Sequence, residues 1–187
     1  MSKIYFSSDL HFSHQKSFLY EPRGFNEVID MNRQIVKNFN SVVTDDDDLY
    51  LLGDLIMSDV MEGFDFLKEL KGKLHIILGN HDGITKIALY ETLPNVVEIV
   101  YATQIKYKKA TFYLSHYPTM CANDIDDSPW YKNIINLFGH THQQENFFNN
   151  NPYMYHVGCD SHNCFPIEIE EIIEDIKKKK EEINNEK

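Results

Sequence analysis

The residues whose types and spacing could do chemistry fall in five short clusters. They are Asp9 and His11 in "SDLHFSH", Asp54 in "LGDL", Asn80, His81 and Asp82 in "GNHD", His116 in "LSHYP", and His140 and His142 in "FGHTH". Carboxylates and imidazoles with one amide oxygen suit Mn, Fe, Zn or Ni better than the all-oxygen shells of Mg or Ca. Asp9, His11, Asp54, Asn80, His116, His140 and His142 make seven candidate ligands. That is more than one open site uses, and it suits two ions sharing a bridging carboxylate.

In an extended segment Asp9 and His11, or His140 and His142, project to the same side, so each D-x-H or H-x-H pair can aim two ligands at one place. Glycines before Asp54, Asn80 and His140 let the backbone approach where a Cβ would crowd. Taken one at a time the clusters carry little weight. A lone strand-end histidine is more often a hydrogen-bonded core or surface residue than a ligand, and Asp54 and Asp82 could each cap a helix or turn. Their weight comes from arriving in order, each just after an expected strand.

Those strands are "KIYFSS" (3–8), "DLYLLG" (48–53), "KLHIILG" (73–79), "ATFYLS" (110–115), "NIINLFG" (133–139) and "YMYHVG" (153–158). Between them Val28, Met31, Ile35 and Phe39, then Val60, Phe64, Leu67 and Leu70, recur at helical spacing. The alternation is the α/β signature, and "VVEIVYATQIKY" (96–107) predicts a further two-stranded hairpin. Parallel strands are expected first and antiparallel ones later, hence mixed sheets. After Pro166, Ile169, Ile172, Ile173 and Ile176 form an apolar stripe that should dock on the body, while "KKKKEEINNEK" reads as a solvated helix end. "TDDDD" (44–48) reads as a solvated turn rather than a metal loop.

The 187 residues predict one domain, spanning 1–176, with the charged helix end or tail at 177–187. With 42% hydrophobic and 25% charged residues the composition is that of a soluble globular chain. No stretch is long and apolar enough to span a bilayer and the start lacks signal-peptide character, so the expected address is cytoplasmic with no membrane partner. Cys121, Cys159 and Cys164 match no metal-finger spacing and are expected to be reduced thiols; no chemistry is assigned to them. A net charge of -11 argues against gripping extended duplex nucleic acid, although cations in an acidic cleft could invert the local potential for an anionic phosphate. Richness in Asn, Lys and Ile suits an AT-rich genome such as a phage's.

The order D-x-H, G-D, G-N-H-D, H, G-H-x-H resembles that of the calcineurin-like metallophosphoesterases. The likeness extends to small bacterial and phage members in "DLHFSH" followed by Arg23, Gly24 and Phe25, in "MNRQIVKNFNSVV", in "LSHYP" and in "HVGCDSHNCFPIEIEEI", covering residues 3 to 175. The resemblance implies an α/β fold, a four-layer sandwich of two facing mixed β-sheets flanked by α-helices, with the site at the carboxyl ends of the strands. It also implies two divalent transition-metal ions, Mn first and then Fe, Zn or Ni. Asp9, His11 and His142 would hold one ion, Asn80, His116 and His140 the other, and Asp54 would bridge them.

By the same resemblance His81 faces the scissile phosphate and Asp82 orients its ring. A hydroxide between the ions would attack phosphorus in line while His81 assists the leaving group as general acid. His14, Arg23 and Tyr117 are candidates for the substrate side, Arg23 through a bidentate phosphate contact and His14 alternatively as support for the first ion. The stretch 117–133, which holds Trp130, is long enough to form a lid or base-stacking platform.

The expected activity is hydrolysis of a phosphodiester, nucleotide-like, in a small molecule or short nucleotide. The alternatives are a phosphomonoesterase or small nuclease of the same fold, and a non-catalytic metal-binding scaffold, against which all seven filled ligand positions and His81 weigh. Monomer and homodimer are both open.

Overall fold

The computed structural model describes residues 2–119 and 134–185. Trp130 and Cys121, with most of the expected lid or stacking platform, lie outside the described residues.

β1 (Ile4–Ser7), β2 (Asp48–Leu52), β3 (Lys73–Ile77) and β4 (Val96–Val100) pair in parallel, and β9 (Ile167–Glu168) closes the other edge antiparallel to β1, giving the order β4-β3-β2-β1-β9. The second sheet runs β5 (Ala102–Tyr107), β6 (Ala110–Ser115), β7 (Ile134–Phe138), β8 (Met154–His156); β5 is antiparallel to β6, and the rest are parallel. Both sheets are therefore mixed. Pleating sends Phe6, Tyr50, Leu52 and Ile77 of the first sheet toward Phe112, Leu114, Leu137 and Tyr155 of the second, which form one buried cluster. The opposite face of the first sheet, with Leu49, Leu51, Leu74 and Ile76, is covered by Met31, Ile35 and Phe39 of α2 (Val28–Val42) and by Phe64 and Leu67 of α3 (Val60–Leu67).

The apolar stripe after Pro166 docks as expected: Ile169, Ile172 and Ile176 of α5 (Ile169–Asn185) are buried in the inter-sheet core. The chain thus forms an α/β fold of two mixed sheets with flanking helices. No described helix is long and apolar enough to cross a membrane.

Three local expectations need correction. The stretch 96–107 is not a hairpin: β4 pairs with β3 in the first sheet and β5 with β6 in the second, so Tyr101 carries the chain from one sheet to the other. Two helical segments were not foreseen, α1 (Ser17–Tyr20) and α4 (Ile84–Tyr90). The acidic turn is only partly solvated, because the buried Asp47 carboxylate accepts from the Lys3 and Thr44 amides and from Thr44 Oγ1. Asp48 then opens β2 facing His75.

Candidate metal centre

All five clusters lie at carboxyl ends: Asp9 follows β1, Asp54 follows β2, Asn80 follows β3, His116 follows β6 and His140 follows β7. A bridge between Ser8 and Gly158 ties the end of β1 to the end of β8, so both sheets open onto one place.

The paired ligands do not converge by strand alternation. Asp9 (φ 55°), His11 (φ 51°), Asp54 (φ 55°), His140 (φ 66°) and His142 (φ 50°) all adopt the left-handed conformation. Each such residue costs of order 1–3 kcal/mol, and strain of this kind collects at functional sites. Hydrogen bonds across the strand ends hold it in place: Asp9 and His11 amides donate to the Gly53 and Asp54 carbonyls, and the His140 amide donates to Asp9 Oδ2.

Two glycines are required by the close approach. Gly53 sits at φ +88°, and a Cβ there would lie 2.6 Å from the Gly79 amide nitrogen. At Gly139 a Cβ would collide with Ser8 Oγ and Asp9 Oδ2.

The result is two neighbouring ligand sets, Asp9 with His11 and His142, and Asp54 with His116 and His140, each with donor atoms within 4.8 Å of one another. In the first set Asp9 Oδ1 lies 3.6 Å from His11 Nε2 and 3.7 Å from His142 Nε2, and the two imidazole nitrogens are 3.2 Å apart. Three atoms so spaced share a point about 2 Å from each, the length of a transition-metal bond to nitrogen or oxygen. In the second, Asp54 Oδ2 is 3.4 Å from His116 Nε2, which is 3.0 Å from Asn80 Oδ1. Asp9 Oδ1 is buried and, among the described residues, accepts no hydrogen bond. A buried carboxylate oxygen left so is costly, and a cation at the shared point relieves it. The residues present therefore fit divalent transition metal.

Side chains behind the ligands set their orientation. His116 Nδ1 meets the Leu52 carbonyl at 2.7 Å and His142 Nδ1 meets Asp160 Oδ2 at 2.8 Å, which turns each Nε2 toward the cleft. Burial pushes the Asp9 pKa up, but the neighbouring His11 imidazole, with His116 and His142 beyond it, overcomes it and holds the carboxyl well below the usual range. At His142 burial is outweighed by Asp160 and Asp9, so its pKa rises; at His140 burial prevails and it falls.

His81 stands at the cleft mouth with its side chain 47% exposed and Nε2 3.9 Å from Asp54 Oδ2. Its own amide donates to Asp54 Oδ1 at 2.8 Å, and its carbonyl accepts from Lys86 Nζ at 2.7 Å. Tyr117 packs against His140, with ring centroids 4.5 Å apart, and His14 against His11 at 5.6 Å.

Two expected roles do not survive. Asp82 does not orient the His81 ring: its buried carboxylate accepts from the Asp54 and Gly79 amides, more distantly from Leu55, and from Tyr90 Oη. It fixes the loops that carry Asp54 and Asn80 instead. Arg23 is not free for phosphate either. Its guanidinium, 2% exposed, forms a fork with Asp160 and uses its remaining donors on the Asp9 and Leu10 carbonyls and Met31 sulfur.

Sequence reasoning missed Asp160, although it lies in the quoted "HVGCDSH". An Asp following a strand and Gly158 was the available signal. It missed Lys86 too, which carried none. Cys159 and Cys164 are free buried thiols.

The calcineurin-like phosphoesterase superfamily domain matches residues 2–177, and the chain belongs to that family, which is metal-dependent. An uncharacterized protein of Methanocaldococcus jannaschii is 30% identical over 188 residues, covering 96% of this chain and 94% of that protein. The Gene 66 protein of Mycobacterium phage D29 is 26% identical, over 94% of this chain and 98% of its own. Among solved structures, a protein of unknown function from Aquifex aeolicus superposes with a TM-score of 0.65 at 22% identity, covering 93% of this chain and 99% of that one, a likeness of fold alone.

Proposed function

We propose that this protein hydrolyses a phosphodiester, nucleotide-like in kind, with two divalent transition-metal ions, manganese foremost. Asp9, His11 and His142 hold one, Asn80, His116 and His140 the other, and Asp54 lies between. The observation that carries the reading is the pair of adjacent ligand sets with the exposed His81 ring beside Asp54.

When bound, the ions supply positive charge for the phosphate oxygens and acidify a water enough to make a nucleophile at neutral pH. The chain does the rest. Asp160 and the Leu52 carbonyl hold His142 and His116 in the tautomer that leaves Nε2 free to ligate. His81, fixed through its amide on Asp54 and its carbonyl on Lys86, presents an N–H at the mouth where a leaving oxygen would depart. Donating that proton neutralises the alkoxide as the ester bond breaks. On this reading residues 1–176 form the phosphoesterase domain and 177–187 a charged helix end or tail.

The test is hydrolysis of bis-p-nitrophenyl phosphate and p-nitrophenyl phosphate by metal-stripped protein resupplied with Mn, Ni, Zn or Mg, beside Asp54→Ala and His81→Ala. Metal-dependent turnover of the diester that collapses in both variants is expected. Preference for the monoester would overturn the diesterase reading, and absence of both turnover and metal binding would overturn the enzyme.

A further inference from the structure

Phe18 is 71% exposed. A single exposed aromatic is ordinary, but this one belongs to a ladder of rings leading out of the cleft. Its edge packs on His14 with centroids 5.4 Å apart, and His14 packs on the ligand His11 at 5.6 Å. α1, a single helical turn, holds Phe18 at the top of that ladder.

His14 has a defined orientation as well. The Lys16 amide donates to its Nδ1 at 3.2 Å, which in the neutral ring places the proton on Nε2. No acceptor among the described residues takes that N–H, so it remains free for an oxygen of a bound ester.

The other ligand set has a ring of its own. Tyr117, 45% exposed, lies 5.2 Å from His116 and 4.5 Å from His140. One solvent-facing aromatic thus flanks each set, Phe18 beyond Asp9, His11 and His142, and Tyr117 beside Asp54, His116 and His140. A phosphodiester has two organic arms, and in-line displacement requires the attacking and leaving oxygens to lie on opposite sides of phosphorus. A monoester has only one arm to offer.

We propose that the site takes a phosphodiester bearing a planar ring on each arm, a dinucleotide-like ester, with one ring stacked on Phe18, the other on Tyr117, and His14 Nε2–H on an ester or phosphate oxygen. The inference rests on the phosphodiester reading above and narrows its substrate class. Every base presents a flat face, so aromatic platforms favour rings without fixing base identity.

The test measures binding and turnover separately. Manganese-loaded wild type, Phe18→Ala, Phe18→Trp and Tyr117→Ala are each titrated with a dithymidine phosphorothioate and with dimethyl phosphate, with zinc in place of manganese where binding is followed by NMR shifts. Expected is about a tenfold loss of dinucleotide affinity in each alanine variant, retention in Phe18→Trp, and unchanged binding of dimethyl phosphate in all four. Alanine variants that bind the dinucleotide as wild type does would overturn the proposal. Parallel loss for dimethyl phosphate would overturn it too, since the cleft rather than the ring contact would then have been damaged. Turnover of methyl p-nitrophenyl phosphate by wild type, run alongside, reports on the diesterase reading whichever platform its single ring takes: ring-dependent binding without turnover would remove the enzyme and keep the platforms, and turnover without ring dependence would do the reverse.

Discussion

The molecule carries two clusters of polar side chains built around buried histidines, and they follow opposite logics. On the face of the first sheet toward the second, His75 of β3 lies between Asp48 of β2 and Glu98 of β4, 3.0 Å and 2.9 Å away, with Tyr50 stacked on its ring at 4.2 Å. Both imidazole nitrogens have protein partners, and no residue of the cluster has a left-handed backbone. Where β1, β2 and β7 end, five non-glycine ligand positions are left-handed, two imidazole nitrogens face each other, and Asp9 Oδ1 and His11 Nδ1 have no partner among the described residues. The chain satisfies itself at the first cluster and leaves a deficit at the second, and that deficit has the charge and size of a cation.

The largest way to break this contrast is Asp9→Asn, which removes the charge with little change of shape. Manganese at about 100 times its Kd should stabilise wild type by about 2.7 kcal/mol, read as a rise in Tm, and the variant should lose that rise. Diester turnover should fall about a thousandfold or more, since several kcal/mol of charge stabilisation go with the ion. A variant stabilised by manganese as well as wild type would show that the orphan oxygen answers to something else.

Next in size is the buried pair behind the site. Arg23→Met leaves Asp160 without its fork and should cost about 3–5 kcal/mol in urea unfolding. Asp160→Asn, which weakens the hold on His142, should lower metal affinity about 10- to 100-fold. The pair also sets an acid limit. Burial raises the Asp160 pKa, but hydrogen bonds from His142 and Arg23 prevail and carry it far below its ordinary 3.8. A depressed carboxyl stabilises the fold above its unfolded value and loses that contribution as pH falls toward the folded one. The metal-free wild type should therefore lose stability below about pH 4 more steeply than Asp160→Asn.

Gly53 and Gly24 sharpen the contrast further, because both sit at nearly the same angle, φ +88° and +86°. Around Gly24 nothing lies within 4 Å of an added Cβ, whereas at Gly53 the Gly79 backbone and His116 Nδ1 do, the latter at 2.7 Å. Gly24→Ala should carry only backbone strain, about 1 kcal/mol. Gly53→Ala should cost more and should weaken metal binding as well, by pushing on His116. Equal effects would mean the site is less tightly drawn than its backbone implies.

Much of this was legible in the sequence, and the losses have physical causes. Strand positions and the α2, α3 and α5 faces followed from apolar periodicity, and the five clusters were found because each follows a strand. Left-handed ligands were not foreseeable, since Asp and His, although enriched at positive φ, adopt it in only a small share of their positions. α4 was missed because "GITKIALYETL" begins like a turn and is rich in β-branched residues. What secures it is tertiary: Tyr90 Oη on Asp82, and Lys86 on the Ile56 and His81 carbonyls. Arg23 was read as a phosphate contact because its partner lies 137 positions away. No local pattern reveals that Asp160 holds both it and His142.

The smallest predicted effects set two histidines against each other. In His75→Leu, Asp48 and Glu98 lose their partner, but their side chains are 29% and 34% exposed and water can serve them. The cost should be about 1 kcal/mol, with metal affinity unchanged. His11→Leu in metal-free protein removes a ring whose Nδ1 has no partner and which stands 3.2 Å from another imidazole nitrogen. The leucine relieves the unpaired Nδ1 but takes an imidazole neighbour from Asp9, and with the two opposed the metal-free stability should change by less than in His75→Leu, while metal-induced stabilisation disappears. Paired urea titrations with and without manganese decide it. If His11→Leu destabilised the metal-free fold as much as His75→Leu, the two clusters would be alike in kind, and the strained strand ends would be structure rather than a site waiting for its ion.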